Sequence, residues 1–198
     1  MSRSIATLVL LLVPLLALAQ PKPALPPAAA VASAHQLATD AGIEMLRQGG
    51  NAFDAAVAVS SVLSVVEPIS SGLGGGGFFL LHDARSGQDV FVAARETAPK
   101  AAPPARYLTA DGEFDRDRAE NGPWAAGIPG LPAALVHVAG KYGRLPLAES
   151  LAPAIRIARE GFPVYARFAN GYMQRREVME RYPGTREVFL RNGRAPKE

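Results

Sequence analysis

Residues 53–80 read FDAAVAVSSVLSVVEPISSGLGGGGFFL, and three structural instructions follow one another along this stretch. From Phe53 to Val66, small and apolar residues (Ala55, Ala56, Val57, Ala58, Val59, Val62, Leu63, Val65 and Val66) surround a helix axis almost completely. That is the pattern of a helix buried on most sides. Glu67-Pro68 ends it, because the residue before a proline avoids the helical region. Ser70 to Gly77 is then a glycine loop, and Phe78 to His82 (FFLLH) follows as a short apolar strand.

Toward the N-terminus, Ser33 is placed to cap a helix over His35 to Gln48. Leu37, Ala38, Ala41, Gly42, Met45 and Leu46 form one apolar stripe on it. Gly49-Gly50-Asn51 stops that helix. Toward the C-terminus, Asp83 to Gln88 is a turn segment and Asp89 to Ala94 (DVFVAA) returns as a second strand, making a hairpin. Residues 99–121 are polar and read as irregular. Gly127-Ile128-Pro129-Gly130 is a sharp turn, with Pro132 suited to the first turn of a helix ending near Gly143. A further helix spans Leu147 to Glu160 and stops at Gly161. No internal repeat is visible, and helices flanking a hairpin predict a mixed α and β fold.

The chain of 198 residues is 48% hydrophobic and 20% charged, which excludes a disordered tail, a collagen or a coiled coil. Its first 19 residues are a targeting segment: Arg3 supplies the positive start, Ile5 to Leu16 an apolar run, and Ala17-Leu18-Ala19 a small-x-small cleavage site. The run is too short to span a bilayer of roughly 30 Å, so export without a stable membrane anchor is expected, to the periplasm or the medium. Residues 20–30 (QPKPALPPAAA) read as an extended tether, and residues 31–198 as the folded part. Zero cysteine removes disulfide scaffolds, thiolate zinc sites, iron–sulfur clusters and thiol nucleophiles together.

The formal charge is +3, unevenly spread. Residues 141–198 hold twelve Lys or Arg against six Glu. Acids interleave with the bases at helical spacing, and Glu177–Arg181 has the order of an i,i+4 pair. This is a solvated charged helix, and a nucleic-acid partner is not expected.

Among candidate chemical groups the glycine loop is the most conspicuous. Gly72 and Gly74 to Gly77 allow unusual dihedrals and leave backbone N–H groups open to an anion or a reacting oxygen. The loop lacks the Lys-Ser/Thr ending of a phosphate loop and precedes a strand, so nucleotide binding is not expected. Tight backbone packing beside a buried helix and a substrate role remain equal alternatives. Arg95-Glu96 follows the second strand directly. An arginine there can clamp a carboxylate through two charge-assisted hydrogen bonds, and Glu96 can pair with an ammonium, together suiting an amino-acid head group. The alternative is an ordinary structural ion pair. His35, His82 and His137 sit in no metal-binding pattern and read as structural or surface residues. Asp111, Asp115 and Asp117 lack the glycine and terminal glutamate of an EF-hand, and no G-x-S-x-G elbow is present. No cofactor or metal is expected.

The order of the segments resembles the N-terminal part of γ-glutamyltransferase. The resemblance rests on AHQLATDAGIEMLRQGGNAFDAAVA (34–58), VEPISSGLGGGGFFL (66–80), RETAP (95–99), GIPG (127–130), KYGRLPLAE (141–149) and APAIRIAREGFPV (152–164). It implies part of an N-terminal nucleophile hydrolase, a four-layer αββα sandwich that is incomplete without a C-terminal remainder. It also implies a zymogen that cuts itself into a large and a small subunit, whose freed N-terminal threonine attacks the γ-glutamyl amide of glutathione or a similar donor. Water or an amino acid then takes the acyl group, and the threonine's own α-amine is the base.

Thr7, Thr39, Thr97, Thr109 and Thr185 lie outside the family's processing context. The nucleophile is therefore expected beyond Glu198, and this stretch alone is expected to be inactive. What the resemblance carries over is Arg95, matching the family arginine that holds the glutamyl α-carboxylate, with Glu96 as its support in a buried pair. Such a pair would resist loss of one partner by about 3–5 kcal/mol. The family usually has an aspartate two residues before this arginine, where Ala93 stands here. Two other readings are a cephalosporin-type acylase of the same fold and a non-catalytic fragment or scaffold. The polar ending Arg194-Ala195-Pro196-Lys197-Glu198 suggests a chain cut short of its full length.

Overall fold

In a computed structural model of the chain, the described residues are 28–190 together with Asn192 and Arg194. The targeting segment expected over residues 1–19 and most of the tether over 20–30 lie outside them. Eight α-helices and one hairpin are formed by the described residues: α1 (Gln36–Arg47), α2 (Ala52–Val66), β1 (Gly77–Asp83), β2 (Gln88–Ala94), α3 (Arg116–Glu120), α4 (Leu131–Tyr142), α5 (Leu147–Glu160), α6 (Ala166–Gln174), α7 (Arg176–Arg181) and α8 (Pro183–Phe189). None of these helices is long and apolar enough to cross a membrane.

Helix α2 is the central element, as its all-round apolar sequence requires. Ala55, Ala58, Val62 and Val66 pack with Ala38, Ala41 and Met45 of α1 and with Ala154 of α5. Val57 packs in a second cluster with Leu131, Leu135, Val138 and Ala139 of α4 and with Leu81 of β1. The helix thus has neighbours on both sides, and within it only Ala52 is exposed.

The start of α2 carries a buried charge. Asn51 and Asp54 form a capping box: the Asn51 Oδ1 accepts from the Phe53 and Asp54 N–H groups, and the Asp54 Oδ2 accepts from the Asn51 N–H. This reciprocal arrangement satisfies N–H groups that a helix start leaves without partners. The Asp54 carboxylate, fully buried, also accepts from the backbone N–H groups of Arg144 (3.1 and 3.0 Å) and Leu145 (3.2 Å). Asn51 Nδ2 donates to the Tyr142 carbonyl at 2.7 Å. The start of α2 is thereby tied to the end of α4. A side chain at Gly143 would collide with Asp54 Oδ1 and the Ala139 carbonyl, so the approach needs glycine.

The hairpin pairs β1 and β2 antiparallel, from Gly77 opposite Ala94 to Asp83 opposite Gln88. Alternation sends Phe79, Leu81, Val90 and Val92 toward α2 and α4. The other face shows Phe78, Leu80 and Phe91, which are 60%, 78% and 62% exposed, with the Phe78 and Phe91 rings stacked at 5.6 Å.

Three local expectations need correction. The cap of α1 is His35, whose extended backbone (φ −142°, ψ 137°) precedes the first helical residue and whose Nδ1 accepts from the Leu37 N–H. Ser33 instead donates to the His35 carbonyl at 2.9 Å and bonds the Thr39 hydroxyl at 2.8 Å. Residues 99–121 are not wholly irregular. They contain a 3₁₀ turn (Pro104–Tyr107), a bridge between Leu108 and Phe114, and α3, capped by Asp115 accepting from the Arg118 N–H. The Glu177–Arg181 pair is replaced by Arg176–Glu180 at 2.7 Å, while Arg181 reaches Asp117 at 2.6 Å. Helix α7 has six residues, so Arg181 sits at its end and can turn to a distant carboxylate.

Replacing Asp54 by Ala strands buried N–H groups from two segments. Chemical denaturation is expected to show a loss of more than about 3 kcal/mol, against a few tenths for Ala at exposed Asp40.

Candidate functional site

The glycine loop leaves α2 through Glu67, whose carbonyl accepts from the Ser70 (3.0 Å) and Ser71 (2.8 Å) N–H groups. Farther along, the Gly75 carbonyl accepts from the N–H groups of Gly130 (3.1 Å) and Leu131 (3.2 Å), at the start of α4. These N–H groups would otherwise lack helical partners, so the loop and the helix start satisfy one another. The loop borders an open cleft of about 400 Å³ lined by Pro68 to Gly72 with Gly74 and Gly75.

Beyond Ala94, residues 95–97 meet the turn at 127–130. The Thr97 N–H donates to the Ile128 carbonyl (3.2 Å), and the Ile128 N–H donates to the Thr97 carbonyl (2.9 Å). Glu96 lies where all three segments converge: a Cβ at Gly76 would meet the Ala94 carbonyl, Glu96 Oε2 and the Glu96 nitrogen, and one at Gly127 would meet Glu96 Cβ. None of the loop glycines from Gly72 to Gly77 has a positive φ. The expectation of unusual dihedrals is thus corrected: at Gly76 the loop needs glycine for close approach.

Arg95 Nη1 stands 3.4 Å from Glu96 Oε2, with the two side chains 67% and 32% exposed. Oε2 itself is buried and has no hydrogen-bond partner, so the contact is an ion pair without a formed hydrogen bond. The pair expected to be buried is therefore covered on the Glu96 side only, with the Arg95 side mostly in solvent. Most of the guanidinium remains open to a ligand. Ala93 is also exposed and lies two residues before Arg95, on the side of β2 that carries Phe91.

The remaining candidates have structural partners. His35 caps α1, His82 bonds Asp89 across the hairpin at 2.8 Å, and His137 is exposed with its ring against Tyr142. Asp115 caps α3. Hydrogen bonds from Asn121 and then Arg181 hold the Asp117 carboxyl below its ordinary range. Among the described residues no three or more His, Asp or Glu side chains gather to hold a metal ion.

One group was not singled out from sequence. Glu67, read there as a helix stop, is 4% exposed and its Oε1 lies 2.7 Å from the Tyr165 hydroxyl, which also contacts the Val66 carbonyl at 2.7 Å. Burial, and then the hydrogen bond and charge of Glu67, push the Tyr165 hydroxyl up to about 12, with Arg167 opposing. An acid directly before a proline, on a helix with no other acid near its end, was the available signal.

These features make a mixed α and β fragment, and the solved structures it resembles are N-terminal nucleophile hydrolases. The family model for Gamma-glutamyltranspeptidase matches residues 38–198, and the chain belongs to that family. It is 36% identical over 170 residues to the Glutathione hydrolase proenzyme of Bacillus subtilis (strain 168), covering 85% of this chain and 29% of that protein. The crystal structure of Helicobacter pylori gamma-glutamyltranspeptidase is similar with a TM-score of 0.82 at 34% identity, over 90% of this chain and 51% of that one. A cephalosporin acylase from Bacillus halodurans is similar with a TM-score of 0.71 at 29% identity, over 90% of this chain and 36% of that one. The chain thus spans under a third of the length of the curated Bacillus relative.

A methyl group at Gly76 should displace Glu96 or the Ala94 carbonyl, costing about 1–3 kcal/mol. Gly74, where a side chain would meet open space, should accept Ala with little change in melting temperature.

Proposed function

We propose that this chain is the N-terminal part of the large subunit of an exported precursor that hydrolyses or transfers γ-glutamyl groups from glutathione and related amides. The observation that carries the proposal is the open Arg95 guanidinium at the exit of β2, beside the junction of the glycine loop and the 127–130 turn. Its planar fork matches a carboxylate in two parallel hydrogen bonds. It would hold the donor α-carboxylate, with Glu96 supporting Arg95 and keeping a negative charge near the donor's ammonium. A threonine from the downstream part would attack the γ-carbonyl and expel the amine of the donor's remainder. Water or an amino acid would then accept the glutamyl group. This stretch supplies binding and leaves the covalent step to the small subunit.

Several features support this reading. The B. subtilis relative is named a proenzyme, in keeping with a precursor that is cut in two. Arg3, the apolar run to Leu16 and Ala17-Leu18-Ala19 suit a signal peptide and an exported protein. The exposed face of Phe78, Leu80 and Phe91 is of a kind that a larger assembly covers. Retention of Arg95 favours a γ-glutamyl donor, whose α-carboxylate suits the guanidinium fork.

In the complete precursor, Arg95→Ala is expected to raise KM for a γ-glutamyl anilide at least about tenfold, a loss of some 1.4 kcal/mol of binding, while self-cleavage proceeds. Equal loss of both would make the arginine structural, and an unchanged KM would remove Arg95 from donor binding. Residues 20–198 expressed alone are expected to be insoluble or molten, because apolar strand surface and edges stay open. A cooperative, monomeric thermal transition would contradict this.

A further inference from the structure

The segment that follows α5 grips the base of the glycine loop at three points. The Tyr165 hydroxyl lies 2.7 Å from both the Val66 carbonyl and Glu67 Oε1. Arg167 reaches the same region from two residues farther on: its Nε is 3.8 Å from Glu67 Oε2 and its Nη2 donates to Ser70 Oγ at 3.3 Å. In α6, Gly171 lies so close to Ile69 that a Cβ there would overlap the isoleucine side chain.

Helix geometry alone does not account for this arrangement. Helix α2 ends through the Glu67 N–H donating to the Leu63 carbonyl, which needs no side chain. The turn into the loop uses the Glu67 carbonyl, which needs none either. A buried carboxylate is costly to keep, and here its oxygens are directed at two residues about a hundred positions away in the chain. Tyr165 also bonds the last carbonyl of α2, at Val66, and Arg167 also bonds the first residue of the loop, Ser70. The far end of the loop is fixed separately, by the Gly75 carbonyl on the start of α4, and Gly76 then packs on Glu96. With both ends held, the backbone between them has little freedom to drift relative to Arg95 and Glu96.

We infer that Glu67, Tyr165 and Arg167 are positioning residues that clamp the base of the glycine loop and set the place of the Arg95–Glu96 pair. The clamp acts through the loop and touches no substrate. This inference rests on the proposed γ-glutamyl reaction for its kinetic readout, and has an independent physical readout in the loop itself.

The test uses the complete precursor carrying Tyr165→Phe, which removes one hydroxyl and keeps the ring that packs against His35 and Phe168. Hydrogen exchange at the Ser70 and Ser71 amides, whose bonds to Glu67 define the base of the loop, should quicken about tenfold. Exchange in the middle of α2 should stay unchanged. KM for a γ-glutamyl anilide should rise about tenfold, while kcat and the extent of self-cleavage change little. Glu67→Gln, which keeps an oxygen for Tyr165, should retain more of the wild-type KM than Glu67→Ala. Unchanged exchange at Ser70 and Ser71 would overturn the clamp. So would faster exchange spread evenly through α2, which would mark a general stability effect. If the wild-type precursor turned over no γ-glutamyl anilide, the proposed function would fail, and the exchange measurement would still decide the clamp.

Discussion

The buried carboxylate of Asp54 organises this structure. It sits at the start of α2 and receives backbone N–H groups from Asn51, Arg144 and Leu145, so it joins two segments about ninety residues apart. Such a charge is tolerated in the interior only when hydrogen bonds satisfy it. The consequence reaches the candidate site along α4. That helix has its last turn fixed near Asp54 through Tyr142 and Gly143, and its first N–H groups fixed on the Gly75 carbonyl. Its twelve residues make a rod of about 18 Å. A rod pinned at one end to a buried ion and at the other to the glycine loop transmits position from the core to the loop.

The loop, the residues after β2 and the 127–130 turn then meet around Glu96. Two of these junctions are backbone to backbone, and the closest approach requires a missing side chain at Gly76. That leaves little slack in the place of Glu96, whereas Arg95 is mostly in solvent and contacts Glu96 only at 3.4 Å. A rigid seat with an uncommitted guanidinium beside it suits the capture of a small anion. Ala93 gives the guanidinium no help from its own strand, so its direction is left to Glu96 and to the ligand.

Much of the fold could be read from local pattern. The apolar surround of α2, the Glu67-Pro68 stop, the alternation of the hairpin and the Pro132 helix start are all short-range signals, and each element formed where it was expected. Arg95 and Glu96 stand out in the sequence by their position after a strand and their match to a family motif, and the structure sets them in contact at the end of β2. The partners of buried polar groups were not. Asp54 stands at the start of an apolar helix, and nothing nearby in the sequence announces that Arg144 and Leu145 donate to it. Glu67 was legible as a stop signal and silent as a ligand of Tyr165 and Arg167. Arg181 had a plausible partner four residues away and took a more distant one. In each case the decisive neighbour is far along the chain, where periodicity carries no information. The exposure of Arg95 was hidden for the same reason, since it depends on what packs over the end of the strand.

The central claim is that the Arg95 guanidinium binds the α-carboxylate of a γ-glutamyl donor. The most direct measurement is a crystal structure of the complete mature protein with glutamate bound. The account predicts that the glutamate α-carboxylate lies across the Arg95 fork in two hydrogen bonds of about 2.8 Å, with Glu96 still seated against Gly76. Glutamate bound elsewhere, with Arg95 still turned to solvent, would contradict it.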